Sequence, residues 1–139
     1  MADSKNSETI KFYKPELRFI IPISNFRYPK KLFSEFKKNK YIFKINFDFP
    51  RVIELCKEVK RKDNDTWINN IIEDTFIELN KIGKCHSVEC YDNERLVGGL
   101  YGLHLGSCFF GESMFSLKTN TSKFCLLYLL AILKQNNFT

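Results

Sequence analysis

The stretch "GGLYGLHLGSCFFGESMF" (residues 98–115) decides the fold that we predict. It places glycines at 98, 99, 102 and 106 and one carboxylate, Glu112, among mostly apolar residues. Glycine inside a strand indicates a bulge or a close approach of backbone, and positions 98 and 102 share one strand face while 99 lies on the other. We interpret the stretch as a narrow apolar slot for an activated amino acid, with Glu112 at its polar end. A bulged strand without a ligand is the alternative.

The residues around this stretch predict a sheet followed by a helix. Period-two alternation predicts three antiparallel strands at 85–91, 95–105 and 107–115, with a turn at 92–94. The segment "NTS" (120–122) then caps a last helix, in which Phe124, Leu127, Leu130 and Leu133 recur at helical spacing. Its apolar run "CLLYLLAIL" (125–133) is far shorter than the ~20 residues that span a bilayer, so we expect a buried helix.

Upstream, the pattern mixes short helices with one strand. We predict disorder at 1–9, an edge strand or extended segment at 17–23 and a charged loop at 60–65. A strand is predicted at 41–49 and a helix at 29–40. A second helix is predicted to begin at Asp48. A third is predicted to begin at a Thr66 cap and to end at Gly83, with apolar residues at helical spacing: Ile68, Ile72, Phe76 and Leu79. The predicted class is α+β, a sheet flanked by helices.

Size and composition limit the classes of protein. A chain of 139 residues with 44% hydrophobic residues builds one ordinary core. The net charge of +6 favours an acidic partner such as nucleic acid, although many basic proteins bind none. Five cysteines without a targeting segment indicate reduced thiols in a cytoplasmic protein, and we expect a monomer with no membrane association.

Several residues are candidates for chemistry, each with a structural alternative. A buried Glu112 binds an ammonium group or directs a proton, whereas an edge glutamate merely faces water. Ser113 in "GESMF" lacks the second glycine of a nucleophile elbow, which disfavours a hydrolase. Cys85 and Cys90 lack metal-ligand spacing, so we predict no metal. Trp67 suits either a stacking site or a core anchor.

A basic cluster precedes the first predicted strand. Four lysines of the helix at 29–40 are interleaved with aromatic residues, and they are Lys30, Lys31, Lys37 and Lys38. Such a cluster fits contact with phosphates, and a solvated helix face is the alternative. The sequence has no phosphate-binding glycine loop, which disfavours a CoA-dependent acyltransferase.

Taken together, several stretches resemble leucyl/phenylalanyl-tRNA–protein transferases. They are "DFPRVIELC" (48–56), "TWI" (66–68), "HSVE" (86–89), "LVGGLYG" (96–102), "GESMFS" (111–116) and "SK" (122–123). The resemblance implies a fold related to the acetyltransferase superfamily and transfer of Leu or Phe from aminoacyl-tRNA to an N-terminal Lys or Arg of a protein, which marks that protein for degradation. No metal or CoA is implied, because the tRNA ester supplies the activation.

The resemblance also implies roles for particular residues. Trp67 is similar to a residue near the terminal adenosine, Leu100 and Phe109 resemble walls of the amino-acid pocket, and Met114 belongs to the same substrate-binding set. Glu112 resembles the catalytic carboxylate that contacts the aminoacyl end. The lysines of residues 30–38 resemble the patch that meets tRNA phosphates.

Because of departures from the family pattern at both ends, we consider two functional hypotheses. On the amino-terminal side, the family has a part before the region that matches "MADS", which stands first here, and Phe12 and Tyr13 stand where the family commonly has tryptophan. On the carboxy-terminal side, the chain ends before the family's Asp-Cys-Gln strand. We therefore expect a partial amino-terminal region at 1–40 and an acetyltransferase-like domain at 41–139 that lacks its carboxy-terminal strand. An active transferase and an inactive or merely tRNA-binding fragment both remain open.

Overall fold

The computed structural model describes residues 1–59 and 66–139, so the predicted charged loop at 60–65 lies outside the described residues. Four strands form one antiparallel sheet in the order β1 (Ile42–Ile45), β2 (Cys85–Asp92), β3 (Arg95–Leu105) and β4 (Cys108–Ser116). The helices are α1 (Lys30–Lys38), α2 (Phe49–Glu58), α3 (Asn70–Lys81) and α4 (Thr121–Gln135). The α+β class and the predicted three-stranded meander are confirmed.

Helices cover both faces of the sheet because the strands are apolar on both sides. On one face, α2 and α3 pack with Tyr101 and Phe115 in the α2–α3 cluster, which includes Val52 and Ile53 at its centre. On the other face, α4 packs with Val88 and Leu100 in the α4 cluster. Since Leu100 and Tyr101 are consecutive in β3, they point to opposite faces.

Helix α1 lies beside α4 and β1. The Phe36 ring packs 5.2 Å from the Phe43 ring and 5.9 Å from the Phe124 ring, measured between centroids. These contacts partly bury the apolar side of α1 and leave its lysines exposed. Pro29 is the N-cap of this helix, which was predicted at 29–40.

Two predicted boundaries are wrong. The predicted strand at 41–49 ends at Ile45, because Asn46 adopts a left-handed backbone (φ 53°) and Asp48 caps α2. Helix α3 begins at Asn70 rather than after Thr66, since the Asn69 side chain accepts a hydrogen bond from the Ile72 amide at 2.9 Å. Gly83, at φ 73°, follows the end of α3 as predicted.

The predicted disorder of residues 1–9 is also wrong. Ala2 is buried in the α2–α3 cluster, its amide donates to the Trp67 carbonyl at 3.1 Å, and it forms an isolated bridge with Ile10. The segment 17–23 forms no strand pairing within the described residues, and a short 3-10 helix follows at Ile23–Asn25. No helix in the described part of the chain is long and apolar enough to cross a membrane.

A chain of polar side chains crosses the end of the sheet where β2 begins. The Asn46 Oδ1 atom accepts from Asn80 Nδ2 and from the Ser87 amide, both at 3.0 Å. Asn46 Nδ2 therefore donates to His86 Nδ1 at 2.9 Å, and His86 Nε2 in turn donates to His104 Nδ1 at 2.8 Å. This order of donors requires a neutral His86 with its proton on Nε2.

Candidate active site

An apolar cavity of about 700 Å³ lies where β3, β4, α4 and the segment 18–21 meet. Its walls include four of the residues predicted to bind substrate: Leu100, Phe109, Glu112 and Met114. Leu100 and Met114 are paired across β3 and β4, which places their side chains together on the face that α4 covers. The size and apolar lining suit a small apolar side chain with a polar group attached.

Glu112 enters the cavity wall because of a β-bulge. Tyr101 pairs with Ser113 and Gly102 pairs with Gly111, so Glu112 is an extra residue on β4 without a partner in β3. A bulge disrupts the ladder and turns a side chain away from the regular alternation. The bulge is the feature that sets the direction of this carboxylate.

The Glu112 carboxyl is half-buried, and its surroundings influence its ionisation. Burial raises its pKa above the ordinary value, while the positive charges of the Met1 ammonium group and Arg18 lower that pKa in part. A carboxylate in such a place, next to an apolar cavity, attracts an ammonium group more strongly than one in open water.

The glycines of β3 accommodate the protein's own atoms. A Cβ at position 98 would lie 2.5 Å from Thr121 Oγ1 of α4, and one at position 99 would lie 2.6 Å from the Phe115 ring. At position 102 it would lie 2.6 Å from Cε1 of Phe109 and would overlap the Phe110 carbonyl oxygen. The space that the glycines leave is therefore filled by a helix and two aromatic rings, and the interpretation of these positions as an open slot is wrong.

Trp67 is not among the residues that line the cavity. It is partly buried against the α2–α3 cluster, on the face opposite to Leu100, and its carbonyl holds the Ala2 amide. The cavity wall thus brings together Leu100, Phe109, Glu112 and Met114, and Trp67 is positioned with the amino-terminal segment.

The four predicted lysines share one exposed side of α1. Lys30, Lys31, Lys37 and Lys38 are spaced so that they project to the same side of the helix, and all four are exposed. Lys37 Nζ lies 4.4 Å from the centre of the Phe33 ring. This lysine face presents positive charge without a salt bridge among the described residues.

Sequence reasoning missed Glu89, which is fully buried in β2. Its Oε1 accepts hydrogen bonds from the Phe47 and Asp48 amides at 3.1 and 2.9 Å and from Ser87 Oγ at 2.7 Å, and its Oε2 accepts from the Tyr91 hydroxyl at 2.7 Å. The carboxyl group thereby fixes the turn that starts α2. The signal for it in the sequence is a carboxylate between Val88 and Cys90, near the centre of the predicted strand.

The five cysteines are free thiols, and all lie in the described part of the chain. Four are buried and Cys108, at the start of β4 beside the cavity, is exposed. Burial raises the pKa of Cys85 to about 12, which keeps that thiol protonated and unreactive. The two histidines contact each other, with His86 Nε2 at 2.8 Å from His104 Nδ1.

Comparisons with known proteins point to one family. The profile described as "Leucyl/phenylalanyl-tRNA protein transferase" matches residues 20–139. Relatives named leucyl/phenylalanyl-tRNA--protein transferase include one from Zymomonas mobilis, 40% identical over 139 residues, and one from Rhizorhabdus wittichii, 39% identical over 138 residues. The alignments cover 100% and 99% of this chain but 52% and 56% of the relatives, so the chain spans about half their length.

Proposed function

Since this chain belongs to the leucyl/phenylalanyl-tRNA–protein transferase family, we propose that it transfers leucine or phenylalanine from aminoacyl-tRNA to the N-terminal Lys or Arg of acceptor proteins, which marks them for degradation. The observation that carries the proposal is the cavity with Leu100, Phe109 and Met114 in its wall and the Glu112 carboxyl beside them. This arrangement offers an apolar compartment next to a negative charge, as an aminoacyl group with its amine requires.

The proposed reaction is an aminolysis of the tRNA ester. The acceptor amine attacks the ester carbonyl carbon, an amide bond forms, and the ribose hydroxyl leaves with a proton. Because the ester is already activated, holding the two reactants in register supplies most of the rate. The apolar walls select the side chain, and Glu112 holds the amino group of the bound aminoacyl end.

Recognition of the tRNA body is assigned to the lysine face of α1. Its four exposed lysines neutralise backbone phosphates without reading sequence. Trp67 stays a prediction for the terminal adenosine, and its partly exposed indole next to the amino-terminal segment is compatible with that role.

The finer structural and cellular expectations are also proposals. The antiparallel sheet with helices on both faces supports a relation to acetyltransferases, with residues 41–139 as the transferase domain and 1–40 as an amino-terminal region. We assign the protein to the cytoplasm, whose reducing conditions fit its free thiols, and we propose that it is a monomer.

The decisive experiment is transfer of labelled phenylalanine from Phe-tRNA to a peptide with N-terminal arginine. The control peptide has the same sequence and an acetylated amino terminus, which removes the nucleophile. Label in the first peptide alone is the expected result. Absence of label with both peptides, under conditions where the chain is folded, contradicts the proposal.

The exposed lysine face favours a second candidate function, binding of aminoacyl-tRNA without transfer. The lysines of this face lie on α1 and do not line the cavity, so they could bind tRNA without any reaction in the cavity. Salt-sensitive binding of tRNA by a chain that transfers no amino acid would select this candidate.

A further inference from the structure

The bulge in β4 lies opposite one glycine of β3. Two residues, Gly111 and Glu112, occupy the space that faces the single residue Gly102. On either side of this point the ladder is regular, with Tyr101 opposite Ser113 and Leu103 opposite Phe110. The geometry that aims Glu112 is therefore local to Gly102.

Position 102 has no room for a side chain. A Cβ there would overlap the carbonyl oxygen of Phe110 and would lie 2.6 and 2.7 Å from Cε1 and Cζ of Phe109, whereas real Cβ atoms essentially never approach another heavy atom below 3.0 Å. A flexible side chain can move aside, but the Phe110 carbonyl belongs to the backbone of β4. An added methyl group would have to displace the strand itself.

Position 111 is the opposite case in the same bulge. A Cβ at Gly111 would meet nothing within 4 Å, and its φ lies outside the left-handed range. An alanine at 111 therefore fits without displacement. The two glycines form a matched pair: the space for a Cβ is occupied by neighbouring atoms at Gly102 and is empty at Gly111.

We propose that Gly102 is a positioning residue of the proposed transfer site: by lacking a side chain it lets β4 bulge, and the bulge directs Glu112 and seats the Phe109 ring in the cavity wall. The catalytic consequence rests on the proposed function, while the structural consequence does not. A methyl group at 102 straightens or shifts β4, moves Glu112 out of its half-buried place and pushes the Phe109 ring into the cavity.

The first test follows Glu112 without any assay of activity. The chain is labelled with ¹³C at glutamate side chains, and the Glu112 carboxyl is titrated in the wild type, Gly102→Ala and Gly111→Ala. The groups that act on this carboxyl are the Met1 ammonium and Arg18, and it acts in turn on the Cys85 thiol. We expect the pKa of Glu112 to stay raised in Gly111→Ala and to return toward its ordinary value in Gly102→Ala.

The second test measures transfer of leucine and phenylalanine in parallel. We expect kcat/KM to fall roughly 100-fold in Gly102→Ala, as for a displacement of about 1 Å at a catalytic group. In Glu94→Gln, on the exposed turn between β2 and β3, it should stay within about twofold of the wild type. We also expect the loss in Gly102→Ala to be larger for phenylalanine than for leucine, because the displaced Phe109 ring reduces the room for the larger side chain.

The outcomes separate this proposal from the proposed function. Suppose that the wild type transfers no amino acid and that the Glu112 titration is altered only in Gly102→Ala. This result would contradict the proposed function and support the positioning role of Gly102. A folded Gly102→Ala with the wild-type titration of Glu112 overturns the positioning role. If Gly102→Ala does not fold, cross-strand nuclear Overhauser effects in the wild type decide: a regular ladder with Glu112 opposite Gly102 would refute the bulge and the proposal with it.

Discussion

Glu89 is a buried carboxyl group that receives four hydrogen bonds at the start of α2. Two of the donors are backbone amides of the turn after β1, 41 and 42 positions away in the chain. Alternation predicted the strand that carries Glu89, but it could not predict these partners because they are brought in by the pairing of β1 with β2. Burying such a group is tolerated because its acceptor sites are occupied.

Replacing Glu89 by alanine should therefore destabilise the chain severely. We expect Glu89→Ala to lower the free energy of unfolding by about 4 kcal/mol, because buried donors lose their acceptor. Glu89→Gln should cost roughly half as much, since its amide oxygen still accepts and the Tyr91 hydroxyl can turn to accept from the new amide nitrogen. Urea denaturation measures both, with the exposed Glu94→Gln as control. Equal stability of all three variants would contradict this account.

Glu112 is the residue at which the proposed chemistry is most directly tested. Glu112→Gln keeps the shape of the side chain and removes the charge, so we expect kcat/KM for transfer to fall roughly 10- to 100-fold, the worth of a charge-assisted hydrogen bond. The melting temperature should change little. Glu94→Gln is the matched control on an exposed turn. Full activity in Glu112→Gln would remove the carboxylate from the mechanism.

At the scale of elements, the helices and strands with long regular patterns were predictable and their ends were less so. β3 matches the predicted range 95–105, and α4 begins at Thr121 directly after Asn120, whose φ is 65°. The start of α3 was misplaced because Thr66 and Asn69 are both suitable caps, and only the tertiary structure shows that Asn69 bonds to the Ile72 amide. The end of β1 was predicted wrongly because the alternating pattern does not show that Asn46 leaves the strand conformation. The Asn46 side chain instead donates a hydrogen bond to His86.

Helix α1 carries the prediction about tRNA. We replace its four exposed lysines by glutamine, at positions 30, 31, 37 and 38. We expect tRNA binding to weaken and the slope of log K against log salt concentration to fall by roughly one for each phosphate that is no longer neutralised. The control replaces four exposed lysines elsewhere, at positions 5, 14, 84 and 134, so that the net charge is the same. Equal effects of the two sets would mean that net charge, and no particular face, binds the tRNA.

For the whole molecule, the sequence predicted the α+β class but not the contacts between segments that are distant in the chain. The glycines at 98, 99 and 102 were recognised as sites of close approach, but the approaching groups, Thr121, Phe115 and Phe109, come from outside the strand that holds them. The polar segment 1–9 gave no sign of packing in the sequence, because its contacts are to distant residues: Ala2 is buried in the α2–α3 cluster, and Asn69 Nδ2 donates to the Ser7 carbonyl at 2.7 Å. Four of the five predicted substrate-binding residues share one cavity, and whether Trp67 takes part stays a prediction.

The polar chain through Asn80, Asn46, His86 and His104 makes stability depend on pH. Burial first, and then the charge of His104, lower the pKa of His86 below its ordinary 6.5. The unfolded chain therefore binds the His86 proton more readily than the folded one, so the free energy of unfolding rises with pH and this contribution is lost as the pH falls below 6.5.

We expect the unfolding free energy of the wild type to exceed that of His86→Gln by more at pH 7.5 than at pH 5.5. Taking the difference between the two proteins cancels the opposite contribution of Glu112, whose raised pKa favours the folded state at low pH. Urea titrations at the two pH values measure it. A constant difference, or one that grows toward pH 5.5, would contradict the assignment of a neutral His86.

The position of Cys108 has a practical consequence. Its sulfur is the one exposed thiol of the five and stands beside the cavity, while the other four are shielded from reagents. A maleimide fluorophore would therefore attach at this single place without any engineering of the chain. Its emission would report the arrival of a ligand within a few residues of Phe109, so that equilibrium affinities and stopped-flow rates could be recorded optically on the native sequence.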